Sequence, residues 1–215
     1  MEQTILKEKQ NQVIAFVANE PKLGNFYLSG GTALTAYYFQ HRISDDLDFF
    51  TREDFDKAFL HAFIAKLKND LHADTVQFEK LYDRNIFLFQ CKNEELKMEF
   101  TLYPFQPLEL PLKKDGISID SLPDIAANKL MAMLDRFDPK DFVDLFFLLQ
   151  KYTLKEIWEN TSKKFGIKIS PLFLGGELAK VKRIEALPKM VKSLTIDELK
   201  AFFSLQAKEL SAQIF

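Results

Sequence analysis

The most constraining feature of this 215-residue chain is a segment in which a glycine pair and two aspartates flank a predicted helix. A short apolar run ends at Leu28, the pair Gly30-Gly31 follows, and Asp46 and Asp48 then alternate with apolar residues. A buried carboxylate is costly unless it is paired or binds a metal ion. The segment must therefore fold so that both aspartates gain partners.

The glycine pair predicts a turn that can hold an anion. A strand that passes through glycines into a helix leaves unpaired backbone N–H groups at the helix start, and these favour phosphate. Gly30 and Gly31 permit close approach, the Thr32 hydroxyl adds a donor, and residues 32–40 have the pattern of the helix. The same pattern is also typical of a simple turn, so both interpretations stay open at this point.

The acidic residues predict a metal site. Asp46 and Asp48 lie two apart on a predicted strand and share one face, where their charges repel each other unless a cation lies between them. Mg²⁺ prefers such oxygens. Glu99 lies on the polar face of another alternating strand, residues 95–103, and completes a three-carboxylate cluster if the strands are neighbours. The alternatives are ordinary solvated faces, with Glu99 paired to a lysine.

The order of predicted elements gives an α/β (α+β) fold in two domains. Strand patterns dominate up to a proline-containing stretch at residues 104–111, and helical patterns follow from residue 121. The predicted boundary separates an α/β domain over residues 1–120 from a helical domain over residues 121–215. The formal net charge of -2 gives no general attraction to nucleic acid, so any such contact needs a local patch.

The cysteine content and the N-terminus bear on the cellular compartment. The single cysteine, Cys91, excludes an internal disulfide and fits a reducing compartment. The N-terminus lacks the apolar region of a signal peptide, and no run approaches the roughly 18 apolar residues that span a membrane. We therefore expect a cytoplasmic protein without membrane contact.

The motifs together resemble a known family. The stretch from the glycine pair to the aspartates is similar to the AbiEii-type nucleotidyltransferases, which are toxins of the AbiE toxin–antitoxin systems within the polymerase-β-like nucleotidyltransferase superfamily. Two later motifs add to the resemblance, which covers roughly residues 26–149. They are Lys129 with Arg136, and Lys140-Asp141-x-x-Asp144-Leu145. The resemblance implies a nucleotidyltransferase fold with a mixed sheet flanked by helices, followed by a helical domain.

The resemblance also implies roles in the first part of the chain. The glycine turn, Gly30 and Gly31, would hold the incoming triphosphate together with Thr32. Asp46 and Asp48 would bind two Mg²⁺ ions. The third acid would be Glu99, as a metal ligand or as the base that takes the proton of the acceptor hydroxyl.

Further roles concern the loop before the aspartates and the helical part. Arg42 and Ser44 would brace that loop. Lys129 would neutralise the triphosphate, and Asp144 would orient Lys129 or contact the nucleotide. The alternative for Asp144 is a helix-surface acid that pairs with Lys140 at i,i+4 spacing.

The function that follows from the resemblance is transfer of a nucleoside monophosphate from an NTP, with release of pyrophosphate. The acceptor would be the 3′ end of a tRNA, another RNA or a protein hydroxyl, and a cognate antitoxin is implied. A basic stretch in the helical part would contact RNA or be a solvated helix face. It contains Lys180, Lys182, Arg183, Lys189 and Lys192.

The rival hypothesis is a binding module that has kept the fold but lost turnover, and the intact acids together with Lys129 argue against it. Other chemistries find less support. His41, His61 and His72 lack metal-ligand spacing, which disfavours zinc. The serines lack a G-x-S-x-G context, and a haloacid-dehalogenase-like phosphatase would need a long apolar strand before the first aspartate.

Overall fold

The computed structural model describes residues 5–92 and 94–212 and divides into two compact units. The first unit contains the chain up to residue 37, residues 44–106 and residues 110–121. The second contains residues 38–43, 107–109 and the chain from 122 onward. The predicted boundary after residue 120 stays a prediction, because the division also assigns two short earlier segments to the second unit.

The first unit contains the sheet and the first three helices. A short 3₁₀ turn (Pro21–Leu23) precedes the first strand, and a π-helical segment (Thr35–Phe39) continues the second helix, so the helix predicted over residues 32–40 is observed in two parts. The element bounds are α1 (Glu8–Ala18), β1 (Tyr27–Ser29), α2 (Gly30–Leu34), β2 (Leu47–Thr51), α3 (Lys57–Asp70), β3 (Thr75–Leu81), β4 (Arg84–Cys91), β5 (Glu94–Leu102), β6 (Leu112–Lys114) and β7 (Ile117–Ile119).

Within the described residues, the strands form one seven-stranded sheet in the order β3-β4-β5-β2-β1-β7-β6. Strand β2 is parallel to β5 and antiparallel to β1, and β1 is parallel to β7. The other neighbours are antiparallel. The sheet is therefore mixed, and the predicted fold class is confirmed.

Aromatic side chains form a core against one face of the sheet. Alternate residues of the central strands point to the same side, which buries Phe49 of β2 beside Phe100 of β5 with ring centroids 5.2 Å apart. Phe26 contacts Phe100 edge-on, and His61 of α3 lies against Phe87 of β4. Residues between these positions point to the opposite face. The core on one side thus forces the acids of β2 and β5 onto the other.

A hairpin that the sequence patterns did not single out lies just before residue 120. Strands β6 and β7 pair antiparallel there and extend the edge of the sheet. Asp115 and Gly116 turn the chain between them, both with positive φ (52° and 78°). A two-residue turn of this kind matches the twist of adjacent strands. The strands are only three residues long, which leaves little alternation to recognise.

The second unit is helical. Its described elements are α4 (Leu122–Asp135), α5 (Pro139–Leu148), α6 (Leu154–Phe165), α7 (Pro171–Ala179), a 3₁₀ turn (Lys180–Arg183) and α8 (Ile196–Ala212). Asp138 caps α5 by accepting a hydrogen bond from the Lys140 N–H at 2.9 Å, and Pro139 occupies the first helical position. An aspartate at the N-cap followed by proline at the first helical position is a typical helix start.

The longest of the described helices, α8, has 17 residues. Across residues 5–92 and 94–212, no helix has both the length and the apolar composition that crossing a membrane requires.

Candidate active site

The predicted acids of the first unit lie on one face of adjacent strands. Asp46 directly precedes β2, and Asp48 lies within it. In the parallel pairing of β2 with β5, Asp48 is opposite Glu99. Glu99 was expected to join the aspartates if the two strands are neighbours. This condition is met.

The glycine turn packs directly against Asp48. Ser29, the last residue of β1, is the antiparallel partner of Asp48, and Gly30 follows with φ of 68°. A Cβ atom at position 30 would collide with the Asp48 carboxylate. Gly30 is therefore required both by its left-handed backbone and by the close approach of this side chain.

Thr32 makes a contact that the sequence did not predict. Its buried hydroxyl donates a hydrogen bond to the backbone carbonyl of Asp46. This bond ties the start of α2 to the residue that precedes β2. Phosphate binding by Gly31 and Thr32 stays a prediction, and the observed role of the Thr32 hydroxyl is to position Asp46.

Asp46 pairs weakly with a lysine of the adjacent strand. The Lys97 ammonium lies 3.1 Å from the Asp46 carboxylate, and the two side chains are 29% and 43% exposed. Ion pairs between partly exposed groups contribute at most about 1 kcal/mol. A cation that binds the Asp46 carboxylate more strongly can therefore displace Lys97.

Glu99 is held much more firmly. It is buried, and it accepts hydrogen bonds from Arg84 Nε at 2.7 Å, Arg84 Nη2 at 2.5 Å and the Thr101 hydroxyl at 2.6 Å. Burial alone would raise the pKa of Glu99, but the hydrogen bonds and the charges of Arg84 and Lys97 outweigh it and lower this pKa. The pKa of Arg84 is raised, chiefly by its hydrogen bonds to Glu99, with a contribution from the charge of Asp48.

The donor atoms of the two aspartates suit magnesium. Mg²⁺ takes one or two protein carboxylates and completes its shell with water and substrate phosphate, so Asp46 and Asp48 fit such an ion. Among the described residues, no three side chains of the types His, Cys, Asp and Glu are grouped closely enough to hold a metal. A metal-ligand role for Glu99 thus stays a prediction.

The second unit contains a separate charged cluster around Asp144. The carboxylate accepts two hydrogen bonds from Arg42, through Nε and Nη2 at 2.7 Å each, and one from His41 Nε2 at 2.8 Å. The Lys129 ammonium lies 2.7 Å from it. Asp144 is fully buried, so its interpretation as a helix-surface acid paired with Lys140 is wrong.

Asp141 also belongs to this cluster, although it was not among the site residues predicted from the sequence. It lies one helical turn before Asp144 on α5 and contacts Lys129 at 2.9 Å and Arg136 Nε at 3.0 Å. The i,i+3 spacing of the two aspartates places them on one helix face, which is the signal that would have identified Asp141. Lys129 is thus held between two carboxylates.

The cluster maintains its charges although it is buried. Burial alone would raise the pKa of Asp144, but the charges of Lys129 and Arg42 and the hydrogen bonds from Arg42 and His41 hold it well below its usual value. Burial would lower the pKa of Lys129, and the charges of Asp144 and Asp141 raise it instead. Each ion is therefore stabilised by its partners in place of water.

His41 is neutral in this cluster. Burial lowers its pKa more than the contact with Asp144 raises it. Because the carboxylate can only accept, His41 Nε2 carries the proton, and the buried Nδ1 has no hydrogen-bond partner among the described residues. The His41 carbonyl accepts from the N–H groups of Val191 and Lys192 at 2.9 and 3.0 Å, which fixes the backbone beside Arg42.

Ser44 belongs to the first unit. Its backbone carbonyl accepts a hydrogen bond from the Gln10 side-chain amide at 3.0 Å, and the carbonyl of Asp45 accepts from the same amide at 3.2 Å. The Asp45 carboxylate forms a surface ion pair with Lys7 at 2.7 Å. Bracing by Arg42 and Ser44 stays a prediction.

Comparison with known proteins places these motifs in a family. Residues 15–211 match the family described as nucleotidyl transferase AbiEii toxin, type IV toxin–antitoxin system. The uncharacterized protein aq_aa25 of Aquifex aeolicus (strain VF5) is 37% identical over 169 residues, which cover 74% of this chain and 76% of that protein.

Solved structures of similar fold agree with the sheet described above. JHP933 from Helicobacter pylori matches with a TM-score of 0.58 at 23% identity, over 97% of this chain and 96% of that one. The antibiotic-resistance factor ANT(2'')-Ia matches with a TM-score of 0.51 at 13% identity, over 74% and 91%. At these identities the likeness concerns the fold alone.

Replacing Gly30 should damage the first unit. Gly30→Ala places a Cβ in a left-handed conformation and against the Asp48 carboxylate, and we expect a loss of about 1–3 kcal/mol in the free energy of unfolding. Urea unfolding followed by circular dichroism measures it. Gly176→Ala is the matched control. Position 176 is helical and has open space around it, so alanine there should slightly raise the free energy of unfolding. Equal stability of the two variants would contradict the described turn.

Removing the Asp144 carboxylate should unfold the second unit readily. Asp144→Ala leaves Arg42 buried without its carboxylate partner and leaves Lys129 with Asp141 alone, and we expect a loss of about 3–5 kcal/mol. The single tryptophan, Trp158 of α6, reports on this unit by fluorescence during urea unfolding. The control Asp138→Ala, which removes a helix cap and a long, partly exposed ion pair with Arg136, should cost about 1 kcal/mol. Similar losses in both variants would contradict the buried cluster.

His41 should make the stability of the second unit depend on pH. The unfolded chain binds a proton at His41 near pH 6.5, whereas burial lowers the pKa in the folded state. The contribution of neutral His41 to the free energy of unfolding is thus complete above about pH 6.5 and is lost as the pH falls below that value. The free energy of unfolding, measured in urea by Trp158 fluorescence, should be higher for wild type than for His41→Gln at pH 8. This difference should shrink towards pH 5. A constant difference would refute this, and His72→Asn serves as the control.

Proposed function

The chain belongs to the AbiEii family of nucleotidyltransferase toxins, and we propose that it transfers a nucleoside monophosphate from an NTP to an acceptor hydroxyl, releasing pyrophosphate. The observation that carries this proposal is the junction of the glycine turn with the acids. Gly30 lies against the Asp48 carboxylate, and Asp48 lies opposite Glu99 on the next strand. The glycine turn and the carboxylates thus meet on one face of the central strands of the sheet.

Asp46 and Asp48 would hold two Mg²⁺ ions. When bound, such ions stabilise the attacking and leaving oxygens of a phosphoryl transfer. The chain contributes the placement of the ligands, because the Thr32 hydroxyl holds the Asp46 backbone and Gly30, which has no Cβ, leaves room for the Asp48 carboxylate. The weak pair with Lys97 leaves Asp46 available to a metal ion.

The start of α2 would bind the phosphates of the NTP. Backbone N–H groups at a helix N-terminus bind phosphate through hydrogen bonds and the helix dipole. Gly30 and Gly31 occupy the first positions of α2 and present no side chain to obstruct a phosphate. The Thr32 hydroxyl supports this segment through Asp46.

Lys129 would neutralise negative charge on the triphosphate, and Asp144 would be its positioning residue. What supports this assignment is the rigid placement of the ammonium, which is held by Asp144 at 2.7 Å and Asp141 at 2.9 Å. A cation fixed in advance by its partners loses little conformational freedom when an anion binds. Arg42 shares Asp144 and would brace the same segment.

The acceptor would be an RNA end, such as the 3′ end of a tRNA, and a protein hydroxyl is the alternative. The basic stretch of the second unit is partly engaged within its own unit: Lys180 pairs with Glu177, and Arg183 lies over the Phe137 ring at 4.5 Å. Contacts of its remaining lysines with RNA phosphates would weaken with salt. The family implies a cognate antitoxin of a type IV system.

A labelling assay tests the proposal. The protein is mixed with total RNA, a protein extract, Mg²⁺ and each α-labelled NTP in turn. Wild type should label a band, and Asp46→Asn combined with Asp48→Asn should lower labelling at least about a hundredfold, because the metal ligands lose their charge. The matched control is Asp45→Asn, which removes a neighbouring exposed carboxylate and should keep full labelling.

The outcomes separate the hypotheses. A labelled RNA band or a labelled protein band identifies the acceptor class. Full labelling by the double variant, with its circular dichroism unchanged, would overturn the metal-site assignment. NTP binding by wild type without labelling in any mixture would favour the catalytically silent binding module.

A further inference from the structure

We propose that Arg84 binds a phosphate group of the nucleoside triphosphate, and that Glu99 is the positioning residue that holds Arg84 instead of a third metal ligand. This inference rests on the proposed function, because a magnesium site at Asp46 and Asp48 brings a triphosphate to this face of the sheet. It goes beyond that function by assigning a residue outside the predicted motifs.

Glu99 has little capacity left for a metal ion. A carboxylate oxygen offers about two lone-pair positions. Oε1 of Glu99 accepts both from Arg84 Nε and from the Thr101 hydroxyl, and Oε2 accepts from Arg84 Nη2. One oxygen is therefore saturated, and the other keeps a single position.

The two ion pairs of this face differ in strength. Lys97 contacts Asp46 through one 3.1 Å bond between partly exposed groups. Arg84 binds the buried Glu99 by two parallel hydrogen bonds, an arrangement that is about twice as strong per bond as a neutral one. An incoming metal ion displaces Lys97 more easily than Arg84. Metal binding at Asp46 and Asp48 thus leaves the Arg84–Glu99 pair intact.

Arg84 retains donors for an anion. The pair with Glu99 uses Nε and one N–H of Nη2, and Nη1 makes no hydrogen bond to any residue in the described part of the chain. The side chain is 42% exposed. Arg84 pairs with Thr101, two residues beyond Glu99, so it lies on the face that carries Asp48.

The chemistry of this arrangement selects phosphate. A guanidinium is a planar donor that matches phosphate oxygens, and it stays charged at all physiological pH values. Because Glu99 holds the Arg84 guanidinium in place through Nε and Nη2, binding an anion requires little further ordering of the Arg84 side chain. The negative charge of Glu99 is already compensated by Arg84. A bound Mg²⁺ complex would supply the additional positive charge that attracts a triphosphate.

The first experiment measures binding of magnesium tripolyphosphate by isothermal titration calorimetry. This probe has no base and no acceptor, so the unknown base preference does not affect it. Arg84→Gln should weaken binding about tenfold, and Arg84→Lys should lie between that variant and wild type, since a lysine keeps the charge but not the fork. Arg52→Gln, which removes an exposed arginine bonded to Gln106, should stay within about twofold of wild type.

The second experiment measures Mn²⁺ binding by electron paramagnetic resonance without any nucleotide. Arg84→Gln and Glu99→Gln should each keep the affinity for Mn²⁺ within about threefold, whereas Asp48→Asn should lower it at least about tenfold. A loss in Glu99→Gln equal to that in Asp48→Asn would overturn the assignment, because Glu99 would then be a metal ligand.

A double-mutant cycle tests whether Glu99 acts through Arg84. Any change in tripolyphosphate affinity caused by Glu99→Gln should disappear in the Arg84→Gln background. An equal change in both backgrounds would overturn the positioning role. Circular dichroism and urea unfolding show whether each variant is folded, and Glu99→Gln keeps an oxygen that can accept from Arg84.

The results distinguish this inference from the proposed function. Wild type that binds neither Mn²⁺ nor magnesium tripolyphosphate would overturn both. Wild type that binds both, with Arg84→Gln unchanged, would overturn only the role of Arg84. If Arg84→Gln weakens binding of a single-stranded RNA oligonucleotide but not of tripolyphosphate, Arg84 contacts the acceptor and the triphosphate assignment is wrong.

Discussion

The parallel register of β2 with β5 is the constraint on which the first unit depends. It places Phe49 beside Phe100 on one face and Asp48 beside Glu99 on the other. A shift of one residue would move the acids into the aromatic core and the phenylalanines to the polar face. Core packing and the geometry of the candidate site are thus consequences of one pairing, and neither can change without the other.

Hydrogen bonds from outside the strands then adjust each acid separately. Asp46 is positioned through its backbone by Thr32, and Asp48 through the space that Gly30 leaves. Glu99 is held through its side chain by Arg84 and Thr101. Asp46 is paired only weakly with Lys97, whereas the oxygens of Glu99 are nearly all in use. Similar carboxylates on one face of the sheet therefore differ in how firmly they are held, because their partners differ.

The second unit shows how a buried charge can organise helices. Asp144 accepts from Arg42 and His41 and pairs with Lys129, so one carboxylate joins α4, α5 and the segment before Ser44. Such a network is stable only while its members are all present, because each isolated ion would be costly in a dry environment. The family match over residues 15–211 includes these residues.

The sequence by itself determined the strands of the acids, the glycine turn, the capped start of α5 and the family. These features depend on neighbours along the chain. Alternation places Asp48 and Phe49 on opposite faces of the sheet, and the pair Asp138-Pro139 favours the start of a helix. Only the tertiary structure decided the partners. Arg84 and Lys97 had no local signature that tied them to Glu99 and Asp46, because these contacts join residues that are 15 and 51 positions apart in the sequence. The environment of Asp144 depended on the same long-range packing, and the short β6–β7 hairpin on the sheet edge that it extends.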